Sequence, residues 1–127
     1  MQPALDPGDY VIAVRLQKLA RGTVVVYPHP DSPGFDMVKR VVGLPNETVV
    51  IGNGQVHVDG RVLAEPWADG PTHPDGRWEL GTADLFVLGD ARSVSAGDSR
   101  SIGPVPRSDA RWRVAWRYWP PGRAGRI

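Results

Sequence analysis

Glycine or proline interrupts this chain so often that no long helix fits between the interruptions. There are 15 glycines and 13 prolines among 127 residues, nearly twice the roughly 12% of ordinary usage, and both residues are unfavourable in helix interiors. Between the breaks lie short β-branched and aromatic runs: Tyr10 to Arg15, Thr23 to Tyr27, Asp36 to Val42, Thr48 to Ile51, Gln55 to Val58, Arg61 to Leu63, Leu85 to Leu88 and Arg111 to Tyr118. That succession predicts an all-β fold, a mostly antiparallel sheet or small barrel, in a single domain spanning residues 1–127. Asn53-Gly54 and Asp59-Gly60 each offer the positive-φ pair of a tight hairpin turn, so Thr48 through Leu63 is predicted as a three-stranded meander. From Ala64 to Thr82, three prolines and three glycines fall without periodicity, which predicts a long Pro/Gly-rich surface loop. No helix longer than a turn or two is expected.

Composition removes several classes of function. A hydrophobic share of 41% with 23% charged residues excludes wholesale disorder. A net charge of +1 excludes a strongly electrostatic nucleic-acid binder, so no nucleic-acid partner is expected. The absence of cysteine excludes disulfides, a thiol nucleophile and Cys-ligated metals. His29, His57 and His73 have no partner at metal-ligand spacing and read as ordinary surface residues, so neither a metal nor a cofactor is expected. No stretch approaches the roughly 18 to 20 apolar residues of a membrane span, and as given the chain reads as soluble.

The last run alternates. Trp112, Val114, Trp116 and Tyr118 should point one way, and Arg111, Arg113, Arg117 and the following Trp119 the other. One reading is a core face backed by a solvated face. The other is a membrane-surface patch, because Trp suits the headgroup level and Arg pairs with anionic lipid. From Arg107 onward six arginines face a single aspartate, so the modest total charge conceals a basic end.

Thirteen of the fifteen basic residues are arginine, which leaves Lys18 and Lys39 to be explained separately. In Met37-Val38-Lys39-Arg40-Val41, alternation places Lys39 on the face of Met37 and Val41, while Arg40 shares its face with Val38 and Val42. One of the two cations must therefore sit against apolar surface. A desolvated ammonium loses proton affinity and can serve as a neutral general base; a lysine at a sheet edge or snorkelling to solvent is the ordinary alternative. Gly89 to Arg100 follows directly on the apolar run Leu85 to Leu88. It crowds hydroxyls and Asp/Arg sets at the end of a buried strand, where they must satisfy one another or a ligand.

Taken in order, Met1-Gln2-Pro3-Ala4-Leu5 with Pro7-Gly8-Asp9, Gly22-Thr23-Val24-Val25-Val26, Val38-Lys39-Arg40-Val41-Val42-Gly43-Leu44-Pro45, Gly89 to Arg100 with Gly103-Pro104-Val105-Pro106, and Trp119-Pro120-Pro121 resemble the sequence boxes of type I signal peptidases. The likeness is to the short bacterial and mitochondrial-inner-membrane-peptidase-like forms. It implies the barrel-like antiparallel β fold shared with the self-cleaving LexA-like repressors. It also implies a Ser/Lys dyad that removes signal peptides of exported preproteins. By this resemblance Lys39 is the general base and Ser95 the hydroxyl that orients it. Arg40, Asp90, Arg92, Asp98 and Arg100 form the supporting network, and Met1, Pro3, Leu5, Met37 and Val38 line the substrate groove. The resemblance further implies a body on the extracytoplasmic face of the cell membrane, with the lipid surface as a partner.

The chain departs from that pattern in instructive places. The resemblance puts the catalytic serine immediately before the residue that is Met1 here, behind a membrane anchor, so nucleophile and anchor are expected to lie outside the sequence. A start assigned one residue too late would produce this. The alternative is a catalytically inactive peptide-binding or assembly module on the same fold. Ala4, Thr23, Ala91 and Asn46-Glu47 replace the usual residues, and one extra residue near Gly97 is expected to threaten the placement of Ser95 relative to Asp98.

Overall fold

A computed structural model describes residues 1–127. Eleven strands and one α-helical turn follow in chain order, with short 3-10 turns at Arg107–Asp109 and Pro121–Arg123: β1 Tyr10–Arg15, β2 Val24–Pro28, β3 Asp36–Gly43, β4 Thr48–Gly52, β5 Gln55–Val58, β6 Arg61–Val62, β7 Gly76–Glu79, β8 Asp84–Leu88, α1 Ser99–Ile102, β9 Val105–Pro106, β10 Trp112–Trp119 and β11 Gly125–Arg126. The larger sheet runs β1-β10-β2-β3-β8-β9, with β11 added to β10, and the smaller runs β6-β5-β4-β7. Every strand pairing is antiparallel. The expected all-β class holds, but the larger sheet is an open path with β1 and β9 at its ends, not a closed barrel.

The meander forms as its turns demand. Asn53, Gly54, Asp59 and Gly60 all take positive φ, and β5 pairs with both β4 and β6. The predicted loop from Ala64 to Thr82 is corrected by the structure: β7 lies within it and closes the other edge of the small sheet against β4. Only Trp78 gives that strand an inward anchor, packed on Phe86 with ring centroids 4.7 Å apart. A four-residue strand with one apolar contact leaves no alternation to read.

Strands β3 and β8 are buried on both faces. Val41, Leu85 and Val87 join one core with Val25 and Tyr27, whereas Val42, Phe86 and Leu88 join a second core with the small sheet. This two-sided burial explains the near-continuous apolar runs in both strands. It also fixes the close approach at Gly43, where a Cβ would lie 2.7 Å from a Val49 methyl and 2.8 Å from the Phe86 Cβ.

The simple alternation predicted for the last strand fails, and register shows why. Ile12 sits opposite Trp116 and Ala13 opposite Val114, with a shift between them that leaves Ala115 as an extra residue. Cross-strand partners share a face and consecutive residues do not, so Val114 and Trp116 lie on opposite faces. Val114 is buried, while Trp112, Trp116, Tyr118 and Trp119 are exposed. A second shift, at Tyr118, brings Trp119 opposite Tyr10. Tyr10, Ile12, Trp116 and Trp119 consequently form one exposed face, with Tyr118 set edge-on to Tyr10 at 6.0 Å. The expected core face is thus neither a core nor a single face. Arg117, expected in solvent, is instead half-buried against the first residues of the chain. His57, read as a surface residue, is also half-buried, in β5 opposite Val50 and Val62.

Candidate active site

Strand β3 pairs with β2 through Lys39 opposite Val25, which holds the Lys39 side chain on the face of the first core. The residue is only 7% exposed. Its Nζ donates to the Ser95 Oγ at 3.0 Å, and that hydroxyl lies 3.4 Å from the Asp98 Oδ2. Burial lowers the Lys39 pKa from the ordinary lysine value; Asp98 opposes the shift and Arg100 adds to it. A neutral amine has two N–H donors and one lone pair. Spending a donor on Ser95 orients the amine and leaves the lone pair available.

Gly89 follows directly on β8 beside this pair. A Cβ there would fall 1.8 Å from the Ser95 Oγ and 3.4 Å from the Lys39 Nζ, so only glycine lets the serine reach the amine. The Gly89 amide donates to the Asp98 Oδ2 at 3.2 Å. Asp98 also caps α1 by accepting from the Arg100 amide at 3.1 Å and pairs with the Arg100 guanidinium at 2.7 Å. Burial pushes the Asp98 carboxyl up, but the hydrogen bonds and charge of Arg100, with the Gly89 amide, hold it below the usual carboxylate value. The extra residue near Gly97 does not separate Ser95 from Asp98, because Gly97 absorbs the turn at φ 72°.

Around Lys39 and Ser95 stand three buried ion pairs, Arg40 with Asp90, Arg92 with Glu65 and Arg100 with Asp98, the last two linked where Arg100 donates to the Arg92 carbonyl at 3.0 Å. Arg40 grips Asp90 with two bonds, of 2.9 and 2.7 Å, and stacks over Trp67 at 5.1 Å. Arg92, fully buried, bonds Glu65, Thr72 and the Gly89 carbonyl, so it ties the Pro/Gly-rich segment beneath the Ser95 turn. Glu65, Thr72 and Trp67 carry no local signal of this role. Each lies more than 15 residues from its partner in sequence.

A groove of about 500 Å³ opens beside the Lys39 amine. Val11, Val26, Val38 and Val114 give it an apolar wall, Ala91, Val94 and Ala96 flank Ser95, and Met1, Gln2 and Leu5 close one end. Of the residues expected to line it, Met1, Leu5 and Val38 do so. Pro3 and Met37 do not: Met37 packs against the first core, and the Pro3 carbonyl accepts from Arg123. Met1 lines the same groove as Lys39 and Ser95. No cluster of His, Asp or Glu suitable for a metal occurs. No helix is long and apolar enough to cross a membrane.

Fold and site together define a mostly antiparallel β protein with a buried lysine beside an apolar groove. The signal peptidase, peptidase S26 family matches residues 1–119. The signal peptidase I of Leptolyngbya laminosa is 36% identical over all of this chain and 68% of its own length. A probable signal peptidase I-2 of Synechocystis is 34% identical over 98% of this chain and 62% of its own. The signal peptidase I of Bacillus caldolyticus is 31% identical over 94% and 75%. A crystal structure of a signal peptidase I from Enterococcus faecalis superposes with a TM-score of 0.64 at 26% identity, covering 74% of this chain and 94% of that one. The chain belongs to the signal peptidase S26 family, and it spans about two thirds of the length of these curated relatives.

Proposed function

We propose that this chain is the catalytic body of a serine endopeptidase that removes signal peptides from exported preproteins by a Ser/Lys dyad, the serine being the residue that precedes Met1 in the complete protein. One observation carries the reading: the buried Lys39 amine, hydrogen-bonded to Ser95, shares a single apolar groove with the first residue of the chain. In this mechanism the neutral Lys39 accepts the proton of the serine hydroxyl as its oxygen attacks the scissile carbonyl. The resulting Lys39 ammonium returns that proton to the departing amine, leaving an acyl-enzyme. Lys39 then deprotonates the water that hydrolyses the ester, and the serine is regenerated. Ser95 keeps the amine oriented through both proton transfers. Bounded by valine side chains and flanked by Ala91 and Ala96, the groove suits an extended peptide with small apolar side chains.

The exposed face of Tyr10, Ile12, Trp116 and Trp119, next to the basic C-terminal segment, is the surface proposed to rest on the lipid headgroups at the extracytoplasmic side of the cell membrane. The deciding experiment places a serine before Met1. A chain carrying Ser before Met1 should cleave a signal-peptide substrate, whereas the 127-residue chain should not, because losing one member of a coupled site removes most of the rate. Lys39→Arg in the Ser-preceded chain should be as inactive as Lys39→Ala, since a guanidinium stays protonated. Peptide binding without turnover in the Ser-preceded chain would instead identify an inactive peptide-binding module.

A further inference from the structure

Residues 1–9 carry no regular secondary structure, yet they form one end of the groove beside Lys39. Their internal hydrogen bonds are three: Leu5 to the Met1 carbonyl, Asp9 to the Asp6 carbonyl, and the Asp6 amide to the Asp9 carboxylate. Every hydrogen bond from this segment to the rest of the molecule goes to one of two arginines more than 100 residues away. The Arg123 guanidinium donates to the Asp6 and Asp9 carboxylates, the latter at 3.0 and 3.1 Å, and to the Pro3 carbonyl at 3.2 Å. Arg117 donates to the Ala4 carbonyl and reaches the Asp9 carboxylate at 3.4 Å. The two are joined, because the Arg117 Nε donates to the Arg123 carbonyl.

We propose that Arg117 and Arg123 act as a clamp that sets the position of the N-terminal segment against Lys39, which makes both of them positioning residues for the reaction. The catalytic part of this inference rests on the proposed Ser/Lys reading, in which the nucleophile enters the site on that segment. The physical argument is one of entropy. A segment with few ties of its own samples many conformations, and a nucleophile displaced by about 1 Å from its base loses on the order of 100-fold in rate. Two planar guanidinium groups with several fixed donors each suit this work better than ammonium groups. Both are carried on β10 and the turn after it, and β10 is bonded to β1, β2 and β11, so the clamp is mounted on the large sheet.

The test has two arms. In the 127-residue chain, amide hydrogen exchange at Leu5, Asp6 and Asp9 should accelerate at least 10-fold in Arg123→Ala and in Arg117→Ala, while amides of β3 and β8 keep their protection. Arg123→Lys should restore part of the loss, and Arg61→Ala, an exposed arginine on the far sheet, should change nothing. In the Ser-preceded chain, Arg123→Ala should lower kcat at least 10-fold while the pH of the acid limb stays put, since Lys39 keeps its surroundings. Unchanged exchange at Leu5, Asp6 and Asp9 in both alanine variants would overturn the clamp, as would a wild-type kcat in Arg123→Ala. If the Ser-preceded chain with both arginines intact is inactive, the Ser/Lys reading fails, and the exchange arm still decides the clamp.

Discussion

Lys39 shows how one position can be at odds with stability and suited to chemistry. Its amine is buried on an apolar face with a single hydroxyl partner, so its folded pKa lies below the ordinary 10.5. Between those two values the unfolded chain holds a proton that the folded chain has released, and stability rises with pH across that window. Below it the full cost of burying an ammonium is present. Lys39→Met, which keeps the unbranched stem, should therefore be more stable than the wild type near neutral pH, and its advantage should shrink as pH climbs toward 10.5. Thermal midpoints measured across that range check this; a constant difference between the two proteins would place the amine in solvent. In the Ser-preceded chain the acid limb of the pH–rate profile should follow the same titration, below the range of a free lysine. Gly89 supplies a second expectation at this scale. Gly89→Ala must expel the Ser95 hydroxyl, so it should lower the rate at least 10-fold, and a crystal structure should show the hydrogen bond between Lys39 and Ser95 broken.

Among the elements, β10 is where a local pattern and the finished sheet disagree. Its sequence alternates cleanly, yet two register shifts against β1 turn Val114 toward the groove and Trp116 away from it. Bulges of this kind re-aim side chains without altering the residues themselves. The outcome is a face of large side chains about half exposed, Trp119 at 51% and Trp116 at 41% among them, on a strand that with its flanking segments carries six arginines, of which Arg117 and Arg123 are paired with Asp6 and Asp9. If this face meets lipid, vesicles containing anionic lipid should bind the chain more tightly than neutral ones. Binding should weaken with added salt and fall several-fold in Trp119→Ala. Sedimentation of vesicles with the two proteins measures it; equal binding to both compositions, or none to either, would return the face to ordinary solvent exposure.

The whole molecule is held together at the site by buried ion pairs that join distant segments. Arg40 on β3 bonds Asp90 after β8 and the Gly22 carbonyl before β2, and Asp90 is completely buried. Removing one member of such a pair leaves an uncompensated charge, so Asp90→Ala should cost about 3–5 kcal/mol. Urea unfolding monitored by tryptophan fluorescence should read that loss in its midpoint. A loss under about 1 kcal/mol would mean that water reaches Arg40 once Asp90 is gone.

The sequence alone determined those features that depend on neighbours in the chain. Gly/Pro spacing set the all-β class. One Asn-Gly and one Asp-Gly turn placed the meander, and the order of short motifs carried the resemblance from which roles for Lys39, Ser95 and the Asp/Arg sets are proposed. Alternation in β3 put Lys39 beside Met37 and Val41, and it lies on that face. Tertiary structure decided whatever depends on register or on contacts between remote residues. It turned Trp116 and Val114 to opposite faces, drew β7 out of a Pro/Gly-rich stretch, paired Arg92 with Glu65, and fastened Asp6 and Asp9 to Arg123. The reason is that side-chain period is a local property. A one-residue bulge changes the face of all that follows, and an ion pair spanning more than 100 residues is created only when the sheet closes the distance between its partners.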